Sequence, residues 1–308
     1  MEELEPGLLR VTFELPLGID HVHCYFLRAR SGAWILVDTG LGVRDPEVLW
    51  RPVLDALDAP VEQVVVTHMH PDHVGGAADV AALTGAPVLQ GRDDFEQCLR
   101  AWGPGRSAKQ LAEYWLAHGL PAAQADVVVR ESEALARAVH YEPEPTLLDP
   151  GDELDGWRVE QLRGHADGHV ALVRDGVLIA GDTILGGITP TIGLYPASRS
   201  DPLGDYLETL DRLESMPLRV AYTGHRAPVA DPAARAREIR AHHAARLDAA
   251  AAALDGAPSS PYEVSLALFD ADLSPVQRRF ALAESLAHLE RLVFSGRAER
   301  SGGGYVAA

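Results

Sequence analysis

Residues 67–76 read Thr-His-Met-His-Pro-Asp-His-Val-Gly-Gly, so His68, His70, His73 and the carboxylate of Asp72 fall within six consecutive positions. Neutral imidazole and carboxylate are the ligands that borderline divalent cations such as Zn²⁺ prefer. The segment directly follows a short continuous apolar run, 61–67, which reads as a strand buried on both faces. A turn at the end of such a strand can aim alternate side chains into one cleft. Pro71 stiffens that turn, and Gly75-Gly76 lets the chain enter a helix closely. Three further stretches place polar residues just past an apolar run. They are Gly164-His165-Ala166-Asp167-Gly168-His169, then Gly181-Asp182-Thr183, then Gly224-His225. Each is expected at the same sheet edge, so polar residues of these three stretches, Asp182 and His225 among them, join His68, His70, Asp72 and His73 as candidate metal ligands.

Other reactive side chains fit structural roles. Ser198 and Ser200 lie in a loop with no base partner nearby in sequence, and metal-activated water needs no serine nucleophile. His118 and His140 fall in a helical stretch and His242 and His243 on a long helix, where they are expected to be inert. Cys24 and Cys98 have no CxxC or zinc-finger spacing and read as two small buried hydrophobes.

The elements that must position the ligands alternate. Strands are expected over 9–13, His21–Arg28 and 33–37, a helix over 46–57, the strand over 61–67, a helix over 75–84 and a strand over 87–89. Between about 93 and 144 the pattern turns helical (95–102, 107–118, 122–139) and reads as an insertion or cap. Glu142-Pro143-Glu144-Pro145 ends it. Strands resume over 159–162, Val170–Arg174 and 177–180, with Asp175-Gly176 as a hairpin turn between the last two. A helix over Pro202–Ser215 and a strand over 219–222 follow. After Pro232 come an Ala- and Arg-rich helix over 233–254 and two helices opened by Ser260-Pro261 and Ser274-Pro275, each with serine as N-cap and proline at the first position. Residues 297–307 read as strand, turn and strand. Strands alternating with helices describe a layered α/β domain over 1–232, and three helices with a terminal hairpin describe a winged helix over 233–308.

Composition bounds the rest. The chain has 308 residues, 47% hydrophobic, and a formal net charge of −18. That balance disfavours a long polyanion spread over the surface, while leaving room for a local anion site beside bound metal. No apolar run approaches the ~20 residues of a spanning helix. The acidic start, Met-Glu-Glu-Leu-Glu, is unlike a secretory signal, so a cytoplasmic protein without membrane contact is expected.

At this point the motifs show a resemblance. Val37-Asp38-Thr39-Gly40, His-x-His-x-Asp-His, Gly-His-x-x-Gly-His, Gly-Asp-Thr and Gly-His occur in the order found in the metallo-β-lactamase superfamily, over about residues 8–232. The resemblance implies a four-layer αβ/βα sandwich. It also implies a first metal held at His68, His70 and His165, a second held at Asp72, His73 and His225, and Asp182 bridging them. Zn²⁺ is the expected occupant, with Fe or Mn as alternatives. His169 and Asp38 are expected to support ligands by hydrogen bonds. Class B1 lactamases carry Arg at the position of His73 and Cys at that of Asp182, and flavodiiron oxygen reductases carry Glu at that of His70; this chain departs from both. The remaining likeness is to the glyoxalase II, lactonase and metal-dependent ribonuclease branches, and the tail resembles that of the beta-lactamase-like group.

The implied mechanism is attack by a hydroxide bridging two metals, with Asp72 also able to take the nucleophile's proton and Asp182 holding the pair. Tyr195, in the loop 188–199 after Asp182, could donate to a developing oxyanion. From residue 256 onward Arg278, Arg279, Arg291, Arg297 and Arg300 are offset by Glu263, Asp270, Asp272, Glu284, Glu290 and Glu299, not the basic stripe of a nucleic-acid module. A small acyl substrate, as a thioester, ester or lactone, is therefore expected. Cleavage of single-stranded RNA is the runner-up. A mononuclear iron sulfur dioxygenase-type enzyme and a metal-bound protein without catalysis are further alternatives. A homodimer through the insertion or the tail is a possible assembly.

Overall fold

The N-terminal alternation of apolar and polar residues builds an antiparallel meander: β1 (Glu2–Glu5), β2 (Leu8–Glu14), β3 (His21–Arg28) and β4 (Trp34–Val37). The structure, a computed structural model, describes all residues except 17, 43, 44, 197 and 255. Two single-turn helices follow, α1 (Pro46–Leu49) and α2 (Arg51–Leu54), where one helix over 46–57 is expected from the sequence. Pro52 explains the break: it has no N–H to offer the carbonyl of residue 48, and its ring crowds that carbonyl. The chain continues through β5 (Val61–Val66), α3 (Pro71–Val74), α4 (Ala77–Thr84), β6 (Val88–Gly91), α5 (Arg92–Trp102), α6 (Ala108–Ala117), α7 (Ala122–Ala136) and β7 (Thr146–Leu148). Strands β5, β6 and β7 add parallel to β4, completing a seven-stranded sheet in sequence order.

The second sheet is formed by β8 (Glu153–Leu154), β9 (Trp157–Gln161), β10 (Val170–Arg174), β11 (Val177–Gly181) and, after α8 (Pro202–Ser215), β12 (Val220–Thr223). The turn between β10 and β11 uses Asp175 and Gly176, both at positive φ (51° and 76°), as a two-residue hairpin of type I′ requires. Strand β12 then pairs parallel to β11, which brings the C-terminal ends of both to one edge.

The sheets stack face to face. Tyr25, Leu27, Ile35, Val37, Val65 and Leu89 of the first pack against Trp157, Val159, Leu172, Ile179 and Tyr222 of the second. The outer face of the first sheet is covered by Trp50, Val74, Ala77, Val80 and Cys98. That of the second is covered by Leu203, Leu210 and Leu213 of α8 and by residues of α9 (Pro232–Ala252). The result is an α/β sandwich of four layers, as the motifs imply. Strands β1, β7 and β8 were not anticipated; they are short edge strands with little alternation to mark them.

The tail comprises α9, α10 (Pro261–Leu268), α11 (Pro275–Phe294), β13 (Ala298–Ser301) and β14 (Gly304–Ala307). Ser260 and Ser274 each cap their helix, and Glu263 and Gln277 return the bond to the cap's own N–H. Ser259 bridges to Tyr305, tying the hairpin to the chain before α10. Helix α11 is apolar on several faces. Ala287 enters the core over the second sheet, and Leu286, Leu289 and Leu292 pack with Ala250, Leu254 and Tyr305. Leu282 and Ala283 pack on Trp115, Leu120, Ala125 and Val128 of the α6–α7 region.

Of the helical stretch 93–144, α5 belongs with the strands. Gly168 approaches it so closely that a Cβ there would lie 1.9 Å from the Asp94 nitrogen. Helices α6 and α7 instead form a wall with α11. Trp115, fully buried at the centre of that wall, is its keystone. Trp115→Ala is expected to lower unfolding free energy by about 3–5 kcal/mol through transfer and cavity terms. Guanidinium unfolding measures it, and a loss below about 1 kcal/mol would mean the wall is not packed as described.

Candidate metal centre

Four strand ends deliver the candidate ligands. The turn after β5 carries His68, His70, Asp72 and His73; the β9–β10 loop carries His165; β11 ends at Asp182 and β12 at His225. Backbone bonds lock these ends together. Thr67 O accepts from Val170 N–H (2.8 Å), joining the two sheets, and Gly181 O accepts from Gly224 N–H (2.7 Å). All seven expected residues meet. His68, His70 and His165 form one group whose ligand atoms lie within 4.8 Å of one another, as do His68, His73 and Asp182, and Asp72, His73 and His225.

The outer nitrogens decide what the inner ones do. His165 Nδ1 donates to Thr191 O (3.0 Å) and His225 Nδ1 to His21 O (2.5 Å); a carbonyl only accepts, so each Nδ1 carries the proton. His73 Nδ1 donates to Asp38 Oδ2 (2.8 Å). Thr67 Oγ1 donates to the same carboxylate (2.9 Å) and so accepts from His68 Nδ1 (3.0 Å). Four Nε2 lone pairs are thereby turned inward. His70 is the exception and faces in through Nδ1, 3.0 Å from His68 Nε2 and 2.8 Å from His165 Nε2. One proton cannot satisfy three ring nitrogens at such separations. His73 Nε2, His225 Nε2 and Asp182 Oδ1 are buried without a hydrogen bond. Asp182 Oδ2 lies 3.2 Å from His225 Nε2 and 3.6 Å from His165 Nε2, and Asp182 Oδ1 lies 3.5 Å from His73 Nε2. Asp72 Oδ2 lies 3.3 Å from His225 Nε2. A Cβ on Gly224 would sit 2.3 Å from Asp182 Oδ1, so only glycine leaves this cradle open. The donor set fits divalent cations.

The electrostatics agree. Burial, then His165, holds the His70 imidazole down to about 3, and burial lowers His68 and His165 as well. Burial opposes charge on Asp72, but His73 and His225 bring its carboxyl to about 2. Burial likewise opposes charge on His225, and Asp182 outweighs it, raising that imidazole to about 10. Without a cation, the carboxylates hold protons on His73 and His225. A divalent ion would displace them.

The supporting residues are partly those expected. Asp38, at φ +65°, accepts from Thr67 N–H (2.8 Å), Thr67 Oγ1–H and His73 Nδ1–H. His169 is not in any ligand group; its ring stacks on His68 (4.7 Å) and its Nε2 accepts from Asp182 N–H (3.1 Å). Tyr195 lies in the loop that starts from Thr191, beyond His165. His140 is exposed, whereas His243 is fully buried against His288 (Nδ1 to Nε2, 3.2 Å). Residue 197 of the 188–199 loop lies outside the described residues.

Four supporting residues escaped the sequence reading. His21 and His23 hold the His225 turn. Besides the His21 carbonyl, His21 Nε2 accepts from Arg226 N–H (3.1 Å) and His23 Nε2 donates to Arg226 O (3.0 Å). Their alternate spacing on one strand face was the available signal. Asp94 Oδ1 accepts from Met69 N–H (3.0 Å), and Gln97 Oε1 accepts from Asp167 N–H (2.9 Å), so α5 braces both ligand loops. Burial pushes the Asp94 carboxyl up to about 7.

Asp38→Asn keeps the shape at Thr67 but weakens the acceptor for His73. Affinity for Zn²⁺ is expected to fall about 10–100-fold, as loss of an orienting partner does elsewhere. Competition against a chromophoric chelator reads it, and unchanged affinity would deny Asp38 that role.

Comparison with known proteins agrees with this geometry. Residues 17–225 match the model of the Metallo-beta-lactamase superfamily, and residues 247–306 match that of the Metallo-beta-lactamase-like, C-terminal domain. A metallo-beta-lactamase family protein from Thermus thermophilus has a similar structure (TM-score 0.87, 37% identity, 99% of this chain and 100% of that one). So has a beta-lactamase domain protein from Burkholderia ambifaria (TM-score 0.88, 30% identity, 100% and 94%). Among sequence relatives, a probable metallo-hydrolase of Bacillus subtilis is 24% identical over 92% of each chain. A hydroxyacylglutathione hydrolase of Methylobacillus flagellatus is 27% identical over 71% of this chain and 72% of its own. An atrochrysone carboxyl ACP thioesterase of Passalora fulva is 24% identical over 78% of this chain and 60% of its own. With two thirds of its length matched by one family model, this chain belongs to the metallo-beta-lactamase superfamily and is a metallo-hydrolase of that family.

Proposed function

We propose that the protein is a dinuclear metallo-hydrolase acting on small acyl substrates, with thioesters first, then esters and lactones. The observation that carries the reading is the convergence of inward ring nitrogens and two carboxylates, four of the five rings held by a partner on the outer side. His68, His70 and His165 would hold one divalent cation, Asp72, His73 and His225 a second, and Asp182 would reach both. Zn²⁺ suits this set, and Fe or Mn share its ligand preferences. When bound, such cations lower the pKa of water to about 7 and polarise an acyl oxygen.

The chain's own residues complete the chemistry. Asp72 is half-buried and ionised, so it can take a proton from the attacking water and pass it to the leaving sulfur or oxygen. Water adds at the acyl carbon, the carbon–sulfur or carbon–oxygen bond breaks, and acid and thiol or alcohol leave. Asp182 sits among His73, His165 and His225, where it balances charge.

The wall of α6, α7 and α11 beside the site supports a small substrate. Four of the five arginines after residue 256 support it too. Arg278 is buried and donates to Ser265 O and Asp270 O, Arg291 pairs with Asp201, Arg297 with Asp248 and Arg300 with Glu290. Spent internally, they leave no basic stripe for RNA. The relatives named as an ACP thioesterase and a hydroxyacylglutathione hydrolase point to acyl transfer to water.

Zinc-loaded protein is expected to hydrolyse acyl thioesters faster than bis-p-nitrophenyl phosphate or single-stranded RNA. Chelation abolishes that activity and Zn²⁺ restores it. Asp182→Ala is expected to cost at least about 10³-fold in kcat. Near-normal turnover by that variant, or cleavage of RNA with no acyl substrate accepted, would overturn the proposal.

A further inference from the structure

Helix α11 carries one arginine that the tail does not use. Among the described residues, Arg279 forms no hydrogen bond or ion pair, and its Nε is buried with no partner. Its guanidinium stacks on Phe280, 4.2 Å from the ring centroid, and that ring is 41% exposed. Removal from water by surrounding protein lowers the Arg279 pKa, although the side chain is only half-buried.

The loop after Asp182 links this part of α11 to the metal centre. Thr191 O orients His165, Leu194 N–H donates to Ala283 O (3.0 Å), and Tyr114 OH donates to Leu194 O (2.9 Å). The loop is thus moored on α11 and α6. The Tyr195 ring folds back over Gly193 towards Ala283, which lies one turn along α11 from Arg279. Burial raises the Tyr195 phenol to about 12 while the Arg279 charge works against it. The phenol forms no hydrogen bond through its OH among the described residues. Glu284 is the nearby acid on α11, and burial raises its carboxyl to about 7, so it is a weak counter-charge. Thr191 and Tyr195 are four residues apart and so no more than about 14 Å from each other. Tyr195 is therefore held within a substrate's length of His165.

We infer that Arg279 and Tyr195 form an anchor for an oxyanion, a carboxylate or phosphate carried at the far end of the substrate from the scissile bond. A guanidinium presents paired donors matched to such a group, and the phenol adds a third. In a chain of net charge −18, an arginine without a counter-ion gives an anionic substrate a local foothold. This inference rests on the acyl-hydrolase reading and names its substrate class.

Three thioesters of matched length test it on zinc-loaded protein: one neutral, one with a carboxylate on the acyl chain, one with a carboxylate on the thiol. Arg279→Met keeps the stem over Phe280, and Arg279→Lys keeps the charge without the fork. Arg279→Met should raise KM at least about 10-fold for one anionic thioester, with kcat unchanged and the neutral one within about twofold. The lysine variant should fall between. Which anionic substrate suffers identifies the end that is held. Equal losses on all three, or none on any, overturn the anchor. Should wild-type protein hydrolyse none of them, the acyl-hydrolase reading fails on its own. Calorimetry with glutaramate then decides the anchor: binding lost in Arg279→Met retains it, and equal binding by both proteins overturns it.

Discussion

Two carboxylates and the inward nitrogens of five histidines share one buried cleft, and such a set cannot rest uncompensated away from water. In four of the five rings the inward lone pair exists because the other ring nitrogen donates outward, to Thr191 O, His21 O, Asp38 or Thr67. Those partners belong to the strand ends and loops that bound the cleft. Two backbone carbonyls and the side chains of Asp38 and Thr67 therefore choose the tautomers, and the tautomers choose a cation. Protons can fill the gap, as the raised His225 shows, but they balance the carboxylates one at a time. A divalent ion answers several donors at once.

Bringing the strand ends together is the work of the two-sheet core. Val65 and Ile179 are buried in the layer between the sheets, while Val66 and Ala180 face the outer helices, so both strands are gripped on both sides. The Thr67–Val170 bond fixes one sheet against the other at the site itself. Helix α5 then braces the first ligand loop through Asp94 and the second through Gln97. A shift of either sheet would move ligands in opposite directions, which is why the centre depends on apolar packing far larger than itself.

The ligands were legible in the sequence because each follows an apolar run and four of them crowd one turn. Resemblance, not spacing, supplied the pairing of distant ones. The α/β layering was legible from alternation, down to the Asp175-Gly176 hairpin. The supporting shell was not. His21 meets His225 across 204 positions, and no local pattern records that. The helix expected over 46–57 failed at Pro52, where a local rule was available and apolar periodicity was given precedence. Strands β1, β7 and β8 take their conformation from a neighbouring strand, so their own residues carry little signal.

Helix α11 bears on how such a centre acquires selectivity. It contributes Ala287 to the core over the second sheet, Leu282 to the α6–α7 wall and the Ala283 carbonyl to the loop beyond His165. The C-terminal segment thus shares the catalytic fold's packing and holds the loop beyond His165. Reaction chemistry resides at strand ends, where a changed side chain unbalances charge among seven residues. Among the described residues, side chains of the loop 191–195 and the first turns of α11 form no hydrogen bond or ion pair with those ligands. Substitutions there can alter which substrate fits without disturbing the lone pairs that hold metal. The separation follows from where each group is anchored, and it lets one hydrolytic centre change its substrate without losing its ligands.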